Sequence, residues 1–152
     1  MTVRVFGLGH PDRGDDTVGL LVADDLRRRA LPQVEVRRLE GSPLELLGSW
    51  GHADDVIVID AVRAPAAPGL VRCFDAVAGR LPAGGSTGGT HDASLADAVE
   101  LARALGRMPA RLLVYGVCGA AFDVGDTMTP AVRAAARTLS ARIAADVVAH
   151  RG

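Results

Sequence analysis

The chain of 152 residues contains no lysine and no asparagine. Its 17 strongly basic residues are therefore all arginine. The absence of lysine excludes a Walker A phosphate-binding lysine, a Schiff base and a lysine general base. The absence of asparagine means that Asp, His or Gly must take the positions where other proteins use an amide ligand or an asparagine turn.

The chain also has few cysteines, almost no net charge and no long apolar run. Cys73 and Cys118 are too few for a disulfide framework or a zinc knuckle, and we expect both to be free, buried thiols. The net charge is −1, without the basic stripe that is typical of nucleic-acid binding. No apolar run approaches the ~18 residues of a membrane span, and no signal-peptide pattern opens the chain. We therefore expect a cytoplasmic protein with neither a nucleic acid nor a membrane as partner.

The pattern of apolar residues predicts an α/β fold. With 49% hydrophobic residues, the chain can bury one core, and we expect residues 1–152 to form a single domain. Strand-like runs alternate with helical patterns, which favours a three-layer α/β/α arrangement around a five-stranded, mostly parallel, twisted sheet. The predicted strands are residues 3–8, 34–39, 56–59, 69–75 and 112–117.

The sequence also indicates where two of these strands lie in the sheet. Residues 56–59 are a continuous β-branched run, which predicts a central strand buried on both faces. Residues 69–75 follow the turn at 65–68 too closely for a helical crossover, so this fourth strand should run antiparallel at an edge of the sheet. Helices are predicted from Val18 to Leu26, after Ser42, from Leu95 to Ala102 and after Thr129.

The segment from Gly7 to Asp16 joins the first strand to the first helix. Its glycines resemble the dinucleotide fingerprint, which leaves a nucleotide-binding domain as one alternative, but Asp12 occupies the third glycine position. An acid there competes with a pyrophosphate for the positive end of the helix. The segment therefore favours a cation or a polar partner.

Acidic residues also follow the strands that should meet at the switch point of the sheet. Ligands of open α/β sheets bind there, beyond the carboxyl ends of the strands. Because the first and third strands commonly lie side by side in such sheets, we expect Asp15 or Asp16 to lie near Asp60. A carboxylate such as Asp60 in an apolar strand costs several kcal/mol unless it is paired or bound to a metal. The alternatives are that Asp60 caps a neighbouring loop and that one of the two adjacent acids caps the helix.

His91 ends a glycine-rich stretch, residues 79–91, that we predict to be a long loop. A solvated loop histidine is the alternative interpretation. Two carboxylates and one imidazole would make a mixed oxygen and nitrogen set suited to zinc, nickel, iron or manganese.

Three motifs in this order resemble those of the nickel-iron hydrogenase maturation proteases, and the resemblance runs from end to end of the chain. The first family pattern is a strand, Gly-x-Gly-Asn, an acidic pair, a small residue and glycine; it is matched by Gly7, Gly9, Asp15, Asp16 and Gly19. The second is an apolar strand ending in Asp-Ala, at residues 56–61. The third is a histidine shortly before Leu-x-Asp, at residues 91–97.

The resemblance implies an endopeptidase that removes the C-terminal extension of a nickel-iron hydrogenase large-subunit precursor after nickel insertion. Asp16, Asp60 and His91 align with the metal-contacting residues of the family and are the predicted catalytic residues. The resemblance also implies that nickel arrives with the substrate as the recognition element and that no organic cofactor is needed. We expect a monomer. A non-catalytic assembly chaperone for a metallosubunit is the second alternative.

Two residues depart from the family pattern. His10 stands where asparagine is usual, and Thr17 where glycine or alanine is common. His10 either replaces the hydrogen bonds of the amide or adds a fourth potential ligand.

Overall fold

The computed structural model describes residues 2–82 and 94–151. Within them, the strands are β1 (Val3–Leu8), β2 (Val34–Leu39), β3 (Asp55–Val62), β4 (Val71–Asp75) and β5 (Arg111–Cys118). The α-helices are α1 (Val18–Arg28), α2 (Leu95–Ala104) and α3 (Pro130–Arg151). Short 3₁₀ helices span Gly14–Thr17 and Pro43–Leu46.

The strands form one mixed sheet in the order β2-β1-β3-β5-β4. β1 pairs in parallel with both β2 and β3, and β3 pairs in parallel with β5. β4 lies at the edge and runs antiparallel to β5. The predicted fold class, including the antiparallel edge strand, is confirmed.

Helices cover both faces of the sheet. α1 and α3 pack on the face that carries alternate residues of β1, β3 and β5, among them Val5, Ile59 and Val117. α2 and the second 3₁₀ helix cover the opposite face, where Phe6 and Val58 are buried. Because β3 lies between two layers, residues 56–61 are all buried, as their continuous apolar run predicts.

The start of α2 follows its sequence signature. The Ser94 hydroxyl accepts a hydrogen bond from the backbone N–H of Asp97, and the Asp97 carboxylate accepts one from the backbone N–H of Ser94. This reciprocal capping fixes the first turn of α2. The buried positions Leu95 and Val99 then face the sheet.

The expectation for the two thiols is half wrong. Cys118 is buried and free, whereas Cys73 is free but exposed, because it lies on edge strand β4. None of the helices in the described part of the chain is long and apolar enough to cross a membrane. Most of the predicted loop at 79–91, including His91, lies outside the described residues.

Candidate functional site

The beginning of α1 lies directly against the ends of β1 and β3. A Cβ on Gly19 would stand 2.2 Å from the backbone oxygen of Leu8 and 2.6 Å from that of Ile59, so only glycine fits. Gly7 makes the same contact from the strand, since its Cβ would lie 2.0 Å from the backbone oxygen of Gly19. These glycines serve helix–strand packing and bring the acidic segment to the edge between two parallel strands.

Asp15 binds a distant part of the chain. Its fully buried carboxylate accepts hydrogen bonds from the backbone N–H groups of Ala120 (2.8 Å) and Ala121 (2.9 Å). It also accepts from both the backbone N–H and the hydroxyl of Thr129, each at 2.7 Å. Four donors from the connection between β5 and α3 therefore converge on one carboxylate.

This hydrogen-bond network favours the charged form of Asp15 and gives the residue a structural role. Burial opposes its ionisation, but the hydrogen bonds from Ala120, Ala121 and Thr129 outweigh burial and lower the pKa of Asp15 below its usual value. The expectation that one of the two adjacent acids caps the helix is wrong, because neither the 3₁₀ helix at Gly14–Thr17 nor α1 has a side-chain cap in the described structure. Asp15 instead fastens the β1–α1 loop to the segment before α3.

The side chain of Asp16 contacts His10 within its own loop. One carboxylate oxygen, Oδ2, lies 2.5 Å from Nδ1 of His10, and the Asp16 side chain is only 3% exposed against 32% for His10. The backbone N–H of His10 donates to the backbone oxygen of Asp16, and the Thr17 hydroxyl donates to that of His10. Both residues that depart from the family pattern therefore take part in hydrogen bonds that close this loop.

Asp60 occupies the point where β3 passes the end of β1. The ladder between these strands pairs Gly7 with Ile59, so Asp60 comes directly after the last paired residue. Its carboxylate is buried, with 6% of the residue exposed, and Oδ1 accepts a hydrogen bond of 2.8 Å from the backbone N–H of Ala61. The side chain lines a cavity between the sheet and α2. This hydrogen bond with Ala61 stays within β3.

The structure thus brings two of the three predicted site residues to the same edge of the sheet. Asp16 and Asp60 are both buried carboxylates, and the 3₁₀ helix that carries Asp16 contacts β3. Within residues 2–82 and 94–151, no group of three or more His, Cys, Asp or Glu side chains is arranged to hold a metal ion. His91, the third predicted residue, lies outside the described residues.

Thr129 has a role in the site beyond what its sequence context predicts. The sequence predicts it only as the start of the last helix, yet its hydroxyl and its N–H both donate to Asp15. A Thr-Pro pair before a helical pattern is also what an ordinary helix start looks like. No sequence signal distinguishes the two roles.

A family model described as hydrogenase maturation protease, HycI, matches residues 21–146. This range includes Asp60 and His91 and begins after Asp16. The match therefore covers most of the chain but not the acidic loop between β1 and α1.

Individual relatives agree with the family match. The hydrogenase 2 maturation protease of Escherichia coli K12 is 28% identical over 141 residues, covering 88% of this chain and 83% of the relative. The fold is similar to that of the E. coli hydrogenase maturating endopeptidase HybD, with a TM-score of 0.77, 24% identity, and 99% and 94% of the two chains covered. The HybD maturation protease of Thermococcus kodakarensis gives a TM-score of 0.71, 21% identity, and coverage of 97% and 99%.

Proposed function

The chain belongs to the hydrogenase maturation protease family, and from this premise we propose that it removes the C-terminal extension of a nickel-iron hydrogenase large-subunit precursor after nickel insertion. The observation that carries the proposal is the pair of buried carboxylates, Asp16 and Asp60, at one edge of the sheet. Membership of a peptidase family favours this function over a nucleotide-binding domain and over a non-catalytic chaperone.

Nickel enters this proposal as part of the substrate. Asp16 and Asp60 offer oxygen donors, and His91 offers an imidazole, which together suit a borderline metal ion such as nickel. Three protein donors leave positions for the groups by which the precursor already holds its metal. Contact with the nickel would then select the loaded precursor and fix the peptide beside the two carboxylates.

The chemistry assigned to the chain is acid–base catalysis of peptide hydrolysis. One of the two carboxylates accepts a proton from the water that adds to the scissile carbonyl carbon, and the proton passes to the leaving amine as the C–N bond breaks. The hydrogen bond from His10 keeps the Asp16 carboxylate in one orientation during this step. Holding water, peptide and carboxylate together supplies the remaining part of the rate enhancement.

The test compares nickel-loaded and nickel-free precursor incubated with the purified protein. The loaded precursor should lose its C-terminal extension, measured as a mass decrease of the intact subunit, and the nickel-free precursor should stay intact. Equal processing of the two forms would contradict the recognition role of nickel.

The variant Asp16→Asn separates a protease from a chaperone. The amide keeps the size of the side chain and removes its negative charge, so processing should be lost while the complex with the loaded precursor still forms in a pull-down. Processing at the wild-type rate by Asp16→Asn would remove this residue from the catalytic set.

A further inference from the structure

A cavity of about 90 Å³ opens beside Asp60, between the α2 face of the sheet and the start of α2. Apart from Asp60 and Arg72 at its margins, its wall near the sheet is apolar and includes Val62, Phe74 and Val114, and Leu95 closes it from the helix. The cavity is thus continuous with the candidate site and has a different chemical character from it.

β5 carries a glycine opposite Asp60, and this glycine lines the cavity. The ladders pair Asp60 with Gly116 and Gly116 with Arg72, so these three positions form one row across β3, β5 and β4. Residues that are paired across a sheet present their side chains to the same face, and neighbouring strands lie about 4.8 Å apart. A carboxylate and a guanidinium therefore flank a gap about two strand spacings wide.

Gly116 has neither a positive φ nor a backbone atom against its missing Cβ that would demand glycine. A Cβ there would meet only the Val62 side chain, with Cγ1 at 3.1 Å. Glycine inside a strand weakens it, because it adds backbone entropy to the unfolded chain and contributes no packing. A residue that costs stability and borders an apolar cavity beside a candidate catalytic acid indicates a binding function.

We propose that this cavity binds a branched aliphatic side chain of the precursor, from a residue next to the cleaved bond. The proposal rests on the proposed function and names the specificity of the same site. The apolar wall favours burial of an apolar group. The volume of about 90 Å³ is smaller than the ~150 Å³ that accommodates a benzene ring, which favours a valine- or leucine-sized side chain over an aromatic one.

Arg72 defines the far margin of the cavity. It is exposed and takes part in no ion pair within the described parts of the chain. Its guanidinium can donate to a backbone carbonyl of the peptide while Asp60 lies at the opposite margin. A peptide whose aliphatic side chain enters the gap would thereby run across the row from Asp60 to Arg72.

The experiment measures kcat/KM for nickel-loaded precursors in which each residue flanking the cleaved bond is changed in turn to Ala, Leu, Phe or Asp. With the wild-type protein, Leu at one of these positions should be preferred over Ala, Phe and Asp by about tenfold, the discrimination that one apolar pocket provides. Gly116→Val should remove this preference, so that Leu is processed no faster than Ala.

Gly116→Ala is the milder variant and should reduce the preference for Leu about threefold without loss of folding, because its Cβ requires the Val62 side chain to shift by only a few tenths of an ångström. Gly51→Ala is the matched control. It lies before β3, at the opposite end of that strand from Asp60, and its Cβ would be 3.5 Å from Asp54 Oδ2, an ordinary contact. It should change no preference.

Two results would overturn the proposal in distinguishable ways. If the wild-type protein cleaves all precursors with equal kcat/KM, or if Gly116→Ala slows all of them by the same factor, the cavity does not select a side chain and the proposed function stands. If the wild-type protein cleaves no loaded precursor at all, the proposed function falls, and the cavity proposal falls with it.

Discussion

At two neighbouring places on one edge of the sheet, acidic residues lie in contrasting surroundings. Around Asp15, four hydrogen-bond donors converge on a fully buried carboxylate and join two distant segments. Around Asp60, the carboxylate borders an apolar cavity, and the residue paired with it across the sheet is a glycine. One carboxylate is enclosed by hydrogen-bond donors, whereas the other borders a cavity.

The difference shows which acid holds the structure and which can act on a ligand. A carboxylate surrounded by four donors has its lone pairs committed and a lowered pKa, so it stabilises the loop and stays charged. A carboxylate at the margin of a cavity can contact a molecule that enters it. Asp16 is next to Asp15 in the chain, and its carboxylate contacts His10 in its own loop.

The largest effects are expected from removing the acid of each region. Asp15→Ala should lower the free energy of unfolding by roughly 3–5 kcal/mol, because each donor left without an acceptor costs about 1–3 kcal/mol and water can reach some of them. Asp60→Asn should lower kcat/KM for precursor processing at least about 100-fold, since a positioned acid or base contributes about 10²–10⁴. Urea unfolding and processing assays on both variants measure these changes.

Each variant serves as the control of the other. Asp60→Asn should leave the free energy of unfolding within about 1 kcal/mol of the wild type, because the amide oxygen can still accept the hydrogen bond from Ala61. The comparison fails if Asp60→Asn unfolds as easily as Asp15→Ala, or if Asp15→Ala is as stable as the wild type.

An intermediate effect is expected in the pH dependence of stability. The pKa of Asp15 is lower in the folded than in the unfolded chain, where it is about 3.9, so its contribution is complete above that value. As the pH falls below about 4, the unfolded state binds a proton first, and stability declines until the folded carboxylate is protonated as well. Urea unfolding of the wild type between pH 7 and pH 3 should show this loss.

Asp15→Asn should flatten that part of the curve by up to about 1.4 kcal/mol per pH unit, the slope that one proton produces. The pKa values of Asp25 and Asp54 are also lowered, Asp25 chiefly by the hydrogen bond from Arg29 and Asp54 chiefly by that from the Gly51 N–H. Their contribution should appear in both proteins. Parallel curves for the two would show that Asp15 is not the source of the acid sensitivity.

The smallest effect is expected from His10→Asn. An asparagine amide can donate to Asp16 Oδ2 in place of the imidazole, so processing should stay within about threefold of the wild type and stability within about 1 kcal/mol. His10→Ala removes the donor and should lower processing by about tenfold. A changed affinity of His10→Asn for added nickel, measured by calorimetry, would instead identify His10 as an additional ligand.

The fold was largely predictable because its signals are local. Residues 56–59 carry an unbroken β-branched run that only a strand buried on both faces explains, and Ser94 lies three residues before Asp97 in a capping pattern. The short connection before the fourth strand was enough to predict its antiparallel direction. The edge shared by Asp16 and Asp60 followed from the general rule for ligand sites in open α/β sheets.

The contacts of the site were not predictable because they depend on non-local register. Nothing near Asp15 indicates that its partners lie 105 and 114 residues later, at Ala120 and Thr129. The gap at Gly116 becomes visible only when β5 is aligned with β3 and β4 at once. In the sequence, Gly116 is one glycine in an apolar run.

The hydrogen bonds that Asp15 accepts come from residues that are synthesised much later than Asp15 itself. The loop that carries Asp16 is made early, but the groups that hold it in place come from residues 120–129, which leave the ribosome much later. Contacts between segments so far apart form late, because the intervening chain must first close a long loop. Proteolytic activity should therefore be absent from a nascent chain that ends before Thr129, even where β1 and β3 are already paired.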